Sequence, residues 1–204
     1  MIRKATAADI GAIEASYNEV FDREAETGST TSWIRGVYPT RETIERGVNA
    51  GTMYVYYIGE KLAASVILNS YQPAEYYDIP WEYPARDEDV LVIHTLVVSP
   101  GMSGRGVGSL MVAFAEGLAF GQGKAVVRLD TNVTNIPAQR LYSKLGFRLA
   151  GKHHALHEGT LDTELVYMEH LLYTCKSAGE NFSGAFGLCA RHDLGQFRVF
   201  VTAS

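Results

Sequence analysis

Cysteine is scarce in this sequence. Only two cysteines occur among 204 residues, Cys175 and Cys189, and both lie late in the chain. Neither has the spacing or the neighbouring histidines of a metal site. We therefore expect a protein of a reducing, cytoplasmic compartment, with no bridge between these two residues.

The sequence also lacks a surplus of basic residues and any long apolar run. Its 18 Lys and Arg face 23 Asp and Glu, for a formal net charge of -5. This balance argues against nucleic acid as the main partner, because phosphate binding needs clustered cations. No apolar run approaches the ~18 residues of a membrane span, and the N-terminal residues lack the apolar core of a signal peptide. We expect neither a nucleic-acid nor a membrane partner.

What the sequence does contain is typical of one folded domain. Hydrophobic residues make up 47% and charged residues 20%, as in ordinary globular proteins. The periodicities predict the order β-α-α-β-β-β-α-β-α-β-β over residues 1–174, an α/β fold with one mixed, mostly antiparallel sheet and helices on both faces. Residues 175–204 are rich in Gly and Ser and form a separate C-terminal extension: a flexible tail, an added strand or a dimer arm.

Particular residues mark the boundaries of these elements. Thr6, Thr40 and Asn135 are predicted N-caps, and the first helix is expected to fray from Asp22 onward. The third helix follows Gly106, with Leu110 on its inner face. Strands are expected at residues 2–5, 53–58, 62–68, 90–98, 125–130, from 147 and 164–172.

The strand at residues 90–98 leads into a glycine-rich turn and a helix. Gly104, Gly106 and Gly108 alternate with Arg105 and Val107. Glycine permits positive φ and lets an anion approach the main chain, where amides and the helix dipole attract it. The turn therefore predicts a pyrophosphate site, although a turn that is merely tight explains the glycines too. Neither a dinucleotide fingerprint nor a P-loop is present.

Two motifs together resemble the GCN5-related N-acetyltransferase superfamily. The first is VVSPGMSGRGVGSLM, which is similar to the superfamily's motif A. The second is N-x-x-A-x-x-L-Y-x-x-x-G-F, beginning at Asn135, which is similar to motif B. The resemblance covers residues 1–173 and implies acetyl-CoA as cosubstrate.

The resemblance also implies roles for individual residues. The main chain at Leu96 and Val98 would pair with the pantetheine arm, Asn135 would contact the cofactor, and Tyr142 would protonate the departing thiolate. Tyr142 could instead be a core tyrosine. Ser103 stands where the family has Gln or Arg. The implied cofactor-binding residues are Leu96, Val97, Val98, Ser103, Gly104, Arg105, Gly106, Val107, Gly108, Ser109, Asn135 and Tyr142.

The general base is left open. The family's usual glutamate aligns with Val92, which has no carboxylate. His94 lies on the same face of the strand and has a reference pKa near ~6.5. Glu88 or Asp89 acting through water, or loss of the proton to solvent, are the alternatives.

Residues 69–89 interleave aromatic and acidic side chains. Such a segment suits an ammonium group through charge pairing and cation–π contact, or it packs its rings on the surface or at a dimer interface. The candidate substrate contacts are Trp33, Tyr71, Tyr77 and Trp81. His153, His154 and His157 are expected on a solvated strand and turn, and no metal site is predicted.

These features predict an acetyl-CoA-dependent N-acetyltransferase. A primary amine of a small molecule or peptide attacks the thioester directly, since no Cys or Ser nucleophile lies near either motif. The alternative is a catalytically silent acyl-CoA sensor of the same fold, which the missing carboxylate at Val92 and the change at Ser103 would explain. A homodimer formed through residues 175–204 is a further expectation.

Overall fold

A computed structural model describes residues 1–157 and 161–172, which belong to one compact unit. The predictions made for residues 175–204, including both cysteines, the added strand and the dimer arm, lie outside the described residues. The division of the chain at residue 174 therefore stays a prediction.

The described chain is built on one seven-stranded sheet, as the sequence predicts. Its order is β1-β2-β3-β4-β5-β7-β6, and every neighbouring pair is antiparallel except β4 and β5. The strands are β1 Ile2–Lys4, β2 Met53–Ile58, β3 Lys61–Asn69, β4 Val90–Val98, β5 Val126–Asn132, β6 Arg148–His157 and β7 Leu161–Leu171.

Helices cover both faces of the sheet, which confirms the predicted fold class. They are α1 Ile10–Thr27, α2 Arg41–Asn49, α3 Val107–Gly121 and α4 Ile136–Lys144. On one face, α1 and α2 pack Ile13 and Ile44 against Val55 and Ile67. On the other face, α3 contributes to a core that includes Tyr142 of α4.

Two local predictions about the helices are wrong. The first helix does not fray at Asp22 but runs to Thr27 and ends at Gly28, which has φ +94°. Its last turns hold because Phe21 is buried and Glu24 binds the loop that follows. Leu110 is 40% exposed, because the buried side of α3 runs instead through Val112 and small residues further along the helix.

A bulge in β4 shapes the centre of the molecule. Ile67 of β3 pairs with His94, whereas Ser65 pairs with Val97, so β4 contains one extra residue here. Thr95, at the bulge, has φ +49°. Bulges bend a strand and increase its twist. The pairing of β4 with β5 accordingly stops at Ile93 and Leu129, and a gap opens between the two strands.

The aromatic and acidic segment between β3 and β4 packs onto the sheet through a buried ionic network. The Arg128 guanidinium donates to Gln72 Oε1 at 2.7 Å and to the Tyr83 carbonyl at 2.8 Å, and it lies over the Trp81 ring. Glu169, fully buried on β7, accepts from the Glu82 amide at 2.8 Å. The segment is thus fixed at several points along its length.

The N-terminal strand is held by a buried carboxylate, Asp9. It accepts two bonds of 2.8 Å from Arg3, one of 2.7 Å from the Thr6 amide and one of 2.9 Å from the Tyr57 hydroxyl. These bonds, led by those from Arg3, hold the pKa of Asp9 well below its ordinary value of 3.8.

We predict that Asp9→Asn lowers the free energy of unfolding by about 1–3 kcal/mol near pH 7, because hydrogen bonds to a charged group are lost. The pKa of Asp9 is lower in the folded chain, so its contribution is complete above the ordinary carboxyl range and is lost as the pH falls below it. The difference between wild type and variant should therefore shrink from about pH 4 downward. Urea unfolding at several pH values measures it.

Asp22→Asn is the matched control, because Asp22 pairs with Arg35 and both side chains are exposed. An exposed pair contributes less than about 1 kcal/mol. Equal losses in the two variants at pH 7 would contradict the role given to Asp9.

Candidate active site

The glycine-rich turn presents free main-chain amides to a cavity. Gly104 and Gly106 adopt φ +75° and +76°, and α3 begins at Val107. Within the described chain, none of the amides of residues 104–109 donates a turn or capping hydrogen bond to a backbone carbonyl. The first amide of α3 that does so is that of Leu110, which donates to the Gly106 carbonyl. A helix N-terminus with open amides is a site for phosphate.

Gly108 has a different role from the two glycines before it. A Cβ at Gly108 would lie 3.0 Å from Leu141 Cδ2, whereas at Gly104 or Gly106 it would meet nothing within 4 Å. Gly108 therefore allows α3 and α4 to approach closely, and the other two keep the turn open.

The second half of β4 has an unpaired side. The Ser99 amide donates to the Ala63 carbonyl at 3.0 Å, and Ser65 pairs with Val97. Main-chain groups of successive residues point to opposite sides of a strand. Those of Leu96 and Val98 therefore point away from β3, toward the gap where β5 has diverged. They can pair with an extended ligand.

Tyr142 stands where this gap meets the turn. Its side chain is 6% exposed, and its ring packs on Phe147 with the centroids 5.6 Å apart. Its hydroxyl makes no hydrogen bond to any residue that the structure describes. Burial, together with the nearby charge of Asp130, raises the pKa of Tyr142 above its ordinary value of 10.0.

Three chambers lie in series along the cleft. The cradle chamber is lined by the glycine turn, Leu96, Val98 and Tyr142. The central chamber shares Leu96 and Tyr142 with it and adds His94 and Asp130. The tyrosine chamber shares His94 and Asp130 with the central chamber, and its aromatic lining consists of Tyr38, Tyr71, Tyr76 and Tyr167.

The loop after α1 crosses the cleft above the central chamber. At one end, the Glu24 carboxylate accepts from the amides of Thr30 and Thr31 at 2.8 and 2.9 Å. At the other end, the Asn132 amide of β5 donates to Ser32 Oγ at 2.6 Å. Ser32 has φ +60°, a conformation that these contacts maintain. The loop thus roofs the junction between the chambers.

Most of the residues predicted for the site line this cleft. The turn, Leu96, Val98, Asn135 and Tyr142 line the cradle chamber, Trp33 the central chamber and Tyr71 the tyrosine chamber. Asn135 caps α4, as predicted, by accepting from the Ala138 amide at 3.2 Å. His94 lies between two chambers, with Nε2 3.1 Å from Asn69 Oδ1 and 3.2 Å from the Tyr71 carbonyl.

Other predicted residues lie elsewhere. Val97 is buried on the α1 face and pairs with Ser65, and Arg105 is exposed beside Met102. Trp81 packs on Tyr76 and Tyr167. The Tyr77 hydroxyl donates to Asp87, and the exposed Glu88 pairs with Arg86. None of these five lines the chambers among the described residues.

Sequence reasoning missed Asp130 and Tyr76. The Tyr76 hydroxyl donates to Asp130 Oδ2 at 2.8 Å, and burial together with the charge of Asp130 raises the pKa of Tyr76 far above 10.0. A signal for Asp130 was present: polar residues at the carboxyl end of a buried strand, beside a parallel neighbour, mark ligand sites in α/β sheets.

Comparison with known proteins assigns the chain to a protein family. The model of the acetyltransferase (GNAT) family matches residues 16–147, more than half of the chain. The protein belongs to the GNAT acetyltransferase family. This confirms the resemblance seen in the two motifs, and the chain is accordingly an N-acetyltransferase.

Individual relatives agree with this assignment. The chain is 29% identical over 136 residues to a streptothricin acetyltransferase from Escherichia coli, which covers 65% of this chain and 70% of that protein. A GNAT acetyltransferase structure from Streptococcus agalactiae superimposes with a TM-score of 0.70 at 25% identity, over 85% of this chain and 96% of that one.

A second structure shares the fold and contains acetyl-CoA. The yncA protein of Salmonella typhimurium, solved with acetyl-CoA, has a TM-score of 0.61 at 17% identity, over 93% of this chain and 98% of that one. The residues of this GNAT protein fit the same group. The open amides of the turn suit a diphosphate, and the unpaired side of β4 suits an extended amide chain.

The described residues contain neither a candidate metal site nor a candidate membrane-spanning helix. No group of three or more metal-ligating side chains occurs among them; His153 and His154 are exposed on β6, and the His157 side chain lies outside what is described. None of the described helices has the length and apolarity to span a membrane.

We predict that Gly106→Ala raises the Kd for acetyl-CoA about tenfold, as expected for the loss of one hydrogen bond to a charged group. A methyl group at φ +76° strains the turn that presents the amides. Isothermal titration calorimetry measures the affinity.

Gly123→Ala is the matched control. Gly123 lies just beyond the other end of α3 with φ +69°, and a Cβ added there would meet nothing within 4 Å, so the backbone strain is similar. Both variants should lose similar stability, but only Gly106→Ala should lose affinity. Equal affinity in both would show that the turn does not hold the pyrophosphate.

Proposed function

We propose that the protein transfers the acetyl group of acetyl-CoA to a primary amine of a cationic small molecule. The observation that carries the proposal is the central chamber, where the Tyr142 hydroxyl, His94 and Asp130 surround one space at the end of the cradle chamber. The likeness to a streptothricin acetyltransferase makes streptothricin the first acceptor to test. A peptide amine is the second candidate, which the sequence also predicts.

The proposed chemistry is direct attack by the amine. Acetyl-CoA, when bound, supplies an activated acetyl carbonyl and a thiolate leaving group. No cysteine lines the three chambers in the described chain, Ser32 is bonded across the cleft, and Ser103 and Ser109 belong to the proposed pyrophosphate cradle, so we assign no nucleophile for a covalent acetyl-enzyme. The N–C bond forms, the C–S bond breaks, and one proton is released overall.

Tyr142 is the proposed general acid. Its raised pKa keeps the hydroxyl protonated at neutral pH, and its position at the junction of the cradle and central chambers suits donation to the thiolate. The ring packing on Phe147 holds this position.

His94 is the proposed general base. The Tyr71 carbonyl near Nε2 can only accept, which favours the tautomer of the neutral ring that carries its proton on Nε2. Its place between the central and tyrosine chambers is where an incoming amine must pass. Glu88 has no comparable position.

The roof loop and the order of the chambers support entry of the two substrates from opposite ends. Acetyl-CoA would extend from the cradle chamber and the amine from the tyrosine chamber, so that they meet below Ser32. Holding two reactants in line supplies a large part of the acceleration in such reactions. The cytoplasmic location and the homodimer stay predictions of the sequence.

We predict that the purified protein releases free thiol from acetyl-CoA when streptothricin or a polyamine is added. Among the described residues, the tyrosine chamber is lined by two carboxylates, four tyrosines and one cation, Arg46, and this balance favours amines of net positive charge. A thiol-release assay over a panel of amines, confirmed by the mass of the acetylated product, measures this. Acetyl-CoA binding without release on any amine would support the silent sensor instead.

We predict that Tyr142→Phe and His94→Gln each lower kcat by about 100-fold, the usual range for a lost general acid or base. The Kd for acetyl-CoA should stay unchanged in both, because each variant keeps a side chain of similar size. Single-turnover acetyl transfer and calorimetry measure the two quantities. A Tyr142→Phe enzyme with unchanged kcat would exclude the hydroxyl as the acid.

A further inference from the structure

We infer that Asp130 is the residue that binds the ammonium group of the acceptor, and that Tyr76 fixes the carboxylate for this task. The inference rests on the proposed function, because it names the group that selects the amine. The superfamily motifs contain neither residue.

The sheet register places Asp130 beside the reaction site. On the parallel strands β4 and β5, Val92 pairs with Arg128, and the last pair is Ile93 with Leu129. Residues two positions apart on a strand share a face, so Asp130 projects to the same side as His94, at the point where the strands separate. Both residues line the central and the tyrosine chambers.

One carboxylate oxygen of Asp130 is held and the other is available. Oδ2 accepts from the Tyr76 hydroxyl at 2.8 Å. Tyr76 is 1% exposed, and its ring packs on Trp81 and Tyr167. Among the residues that the structure describes, nothing donates to Oδ1. The carboxylate is therefore oriented by a rigid partner, its residue lines both chambers, and its second oxygen has no donor in the described chain.

The charge of Asp130 is not neutralised by an ion pair in the described chain. No Lys, Arg or His nitrogen there lies within 4.0 Å of it, the limit for such a pair. Burial raises the pKa of Tyr76, Tyr142 and Tyr167, and the negative charge of Asp130 adds to each of these shifts. The carboxylate thus lies within electrostatic reach of the hydroxyl at the thioester end of the cleft, and a cation bound there would lie between the two.

The surroundings define the class of ligand. Beyond Asp130, the described lining of the tyrosine chamber adds a second carboxylate, Glu75, four tyrosines and one cation, Arg46. Carboxylates and aromatic rings attract ammonium groups and repel anions. Because the two carboxylates outnumber the one cation, the acceptor is an amine of net positive charge that enters in its ammonium form.

The experiment compares Asp130→Asn with wild type on the best cationic amine of the panel. Asparagine keeps the size of the side chain and can still accept from Tyr76, so only the charge is removed. We expect KM for the amine to rise about 10- to 100-fold, as for a lost charged hydrogen bond. The change in kcat should be smaller, and the Kd for acetyl-CoA should be unchanged.

Two further variants separate binding from structure. Asp78→Asn removes the same charge from the same segment as Tyr76 but lines no chamber among the described residues, so its KM should equal that of wild type. Tyr76→Phe keeps the buried ring and loses only the bond to Oδ2, so its KM should rise less than in Asp130→Asn.

The dependence of kcat/KM on salt concentration tests the role of the Asp130 charge independently. For wild type, kcat/KM for a cationic amine should fall as ionic strength rises, because salt screens the attraction between the amine and the carboxylate. This dependence on ionic strength should be weaker in Asp130→Asn and unchanged in Asp78→Asn. An unchanged KM and slope in a variant that binds acetyl-CoA normally would overturn the role of Asp130. Absence of turnover by the wild-type enzyme on every amine would instead overturn the proposed function.

Discussion

The separation of β4 from β5 is the constraint on which the site depends. Two parallel strands that stayed paired to their ends would bury their main-chain groups in each other. The bulge at Thr95 bends β4 after Ile93, so Leu96 and Val98 keep unpaired groups on one side. The same gap admits the side chains of Tyr142, His94 and Asp130 to one space. The sheet thereby lacks a few hydrogen bonds between β4 and β5, and the main-chain groups left unpaired line a binding site.

The segment before β4 and the roof loop, which border this gap, are fixed by polar contacts rather than by apolar packing alone. Arg128 and Glu169 fix the segment before β4, which carries Tyr71 and Tyr76, and Glu24 and Asn132 fix the roof loop from opposite ends. Buried charges need partners to be tolerated, and here Arg128 Nε and Glu169 Oε2, which make no hydrogen bond in the described chain, lie 3.9 Å apart as an ion pair. The result is a tyrosine chamber whose rings are positioned before any amine arrives, which reduces the ordering that binding must supply.

Electrostatic character changes along the cleft in a way that suits acyl transfer. The cradle chamber offers amide donors and a helix N-terminus, which attract an anion. The described lining of the tyrosine chamber offers two carboxylates and several ring faces against one cation, Arg46, and this balance favours a cationic ligand. Tyr142 lies between them, and its raised pKa follows from burial and from the charge of Asp130. The Asp130 carboxylate can therefore bind the ammonium group of the acceptor and also favour the protonated form of the Tyr142 hydroxyl.

Local patterns in the sequence determined much of this protein. The periodicities predicted the fold class and nearly all elements, because apolar spacing and capping residues such as Thr40 and Asn135 act over a few neighbours. The resemblance of the two motifs to the superfamily implied a shared site for the turn, Leu96, Val98 and Tyr142, and all of them line one cleft. Only the tertiary structure decided what faces the amine. Asp130 and Tyr76 are 54 residues apart, and their contact depends on the buried network that folds residues 71–89 onto the sheet. The same packing places the partly buried Trp81 against a core cluster and leaves Glu88 outside the cleft, since burial is set by partners distant in the chain.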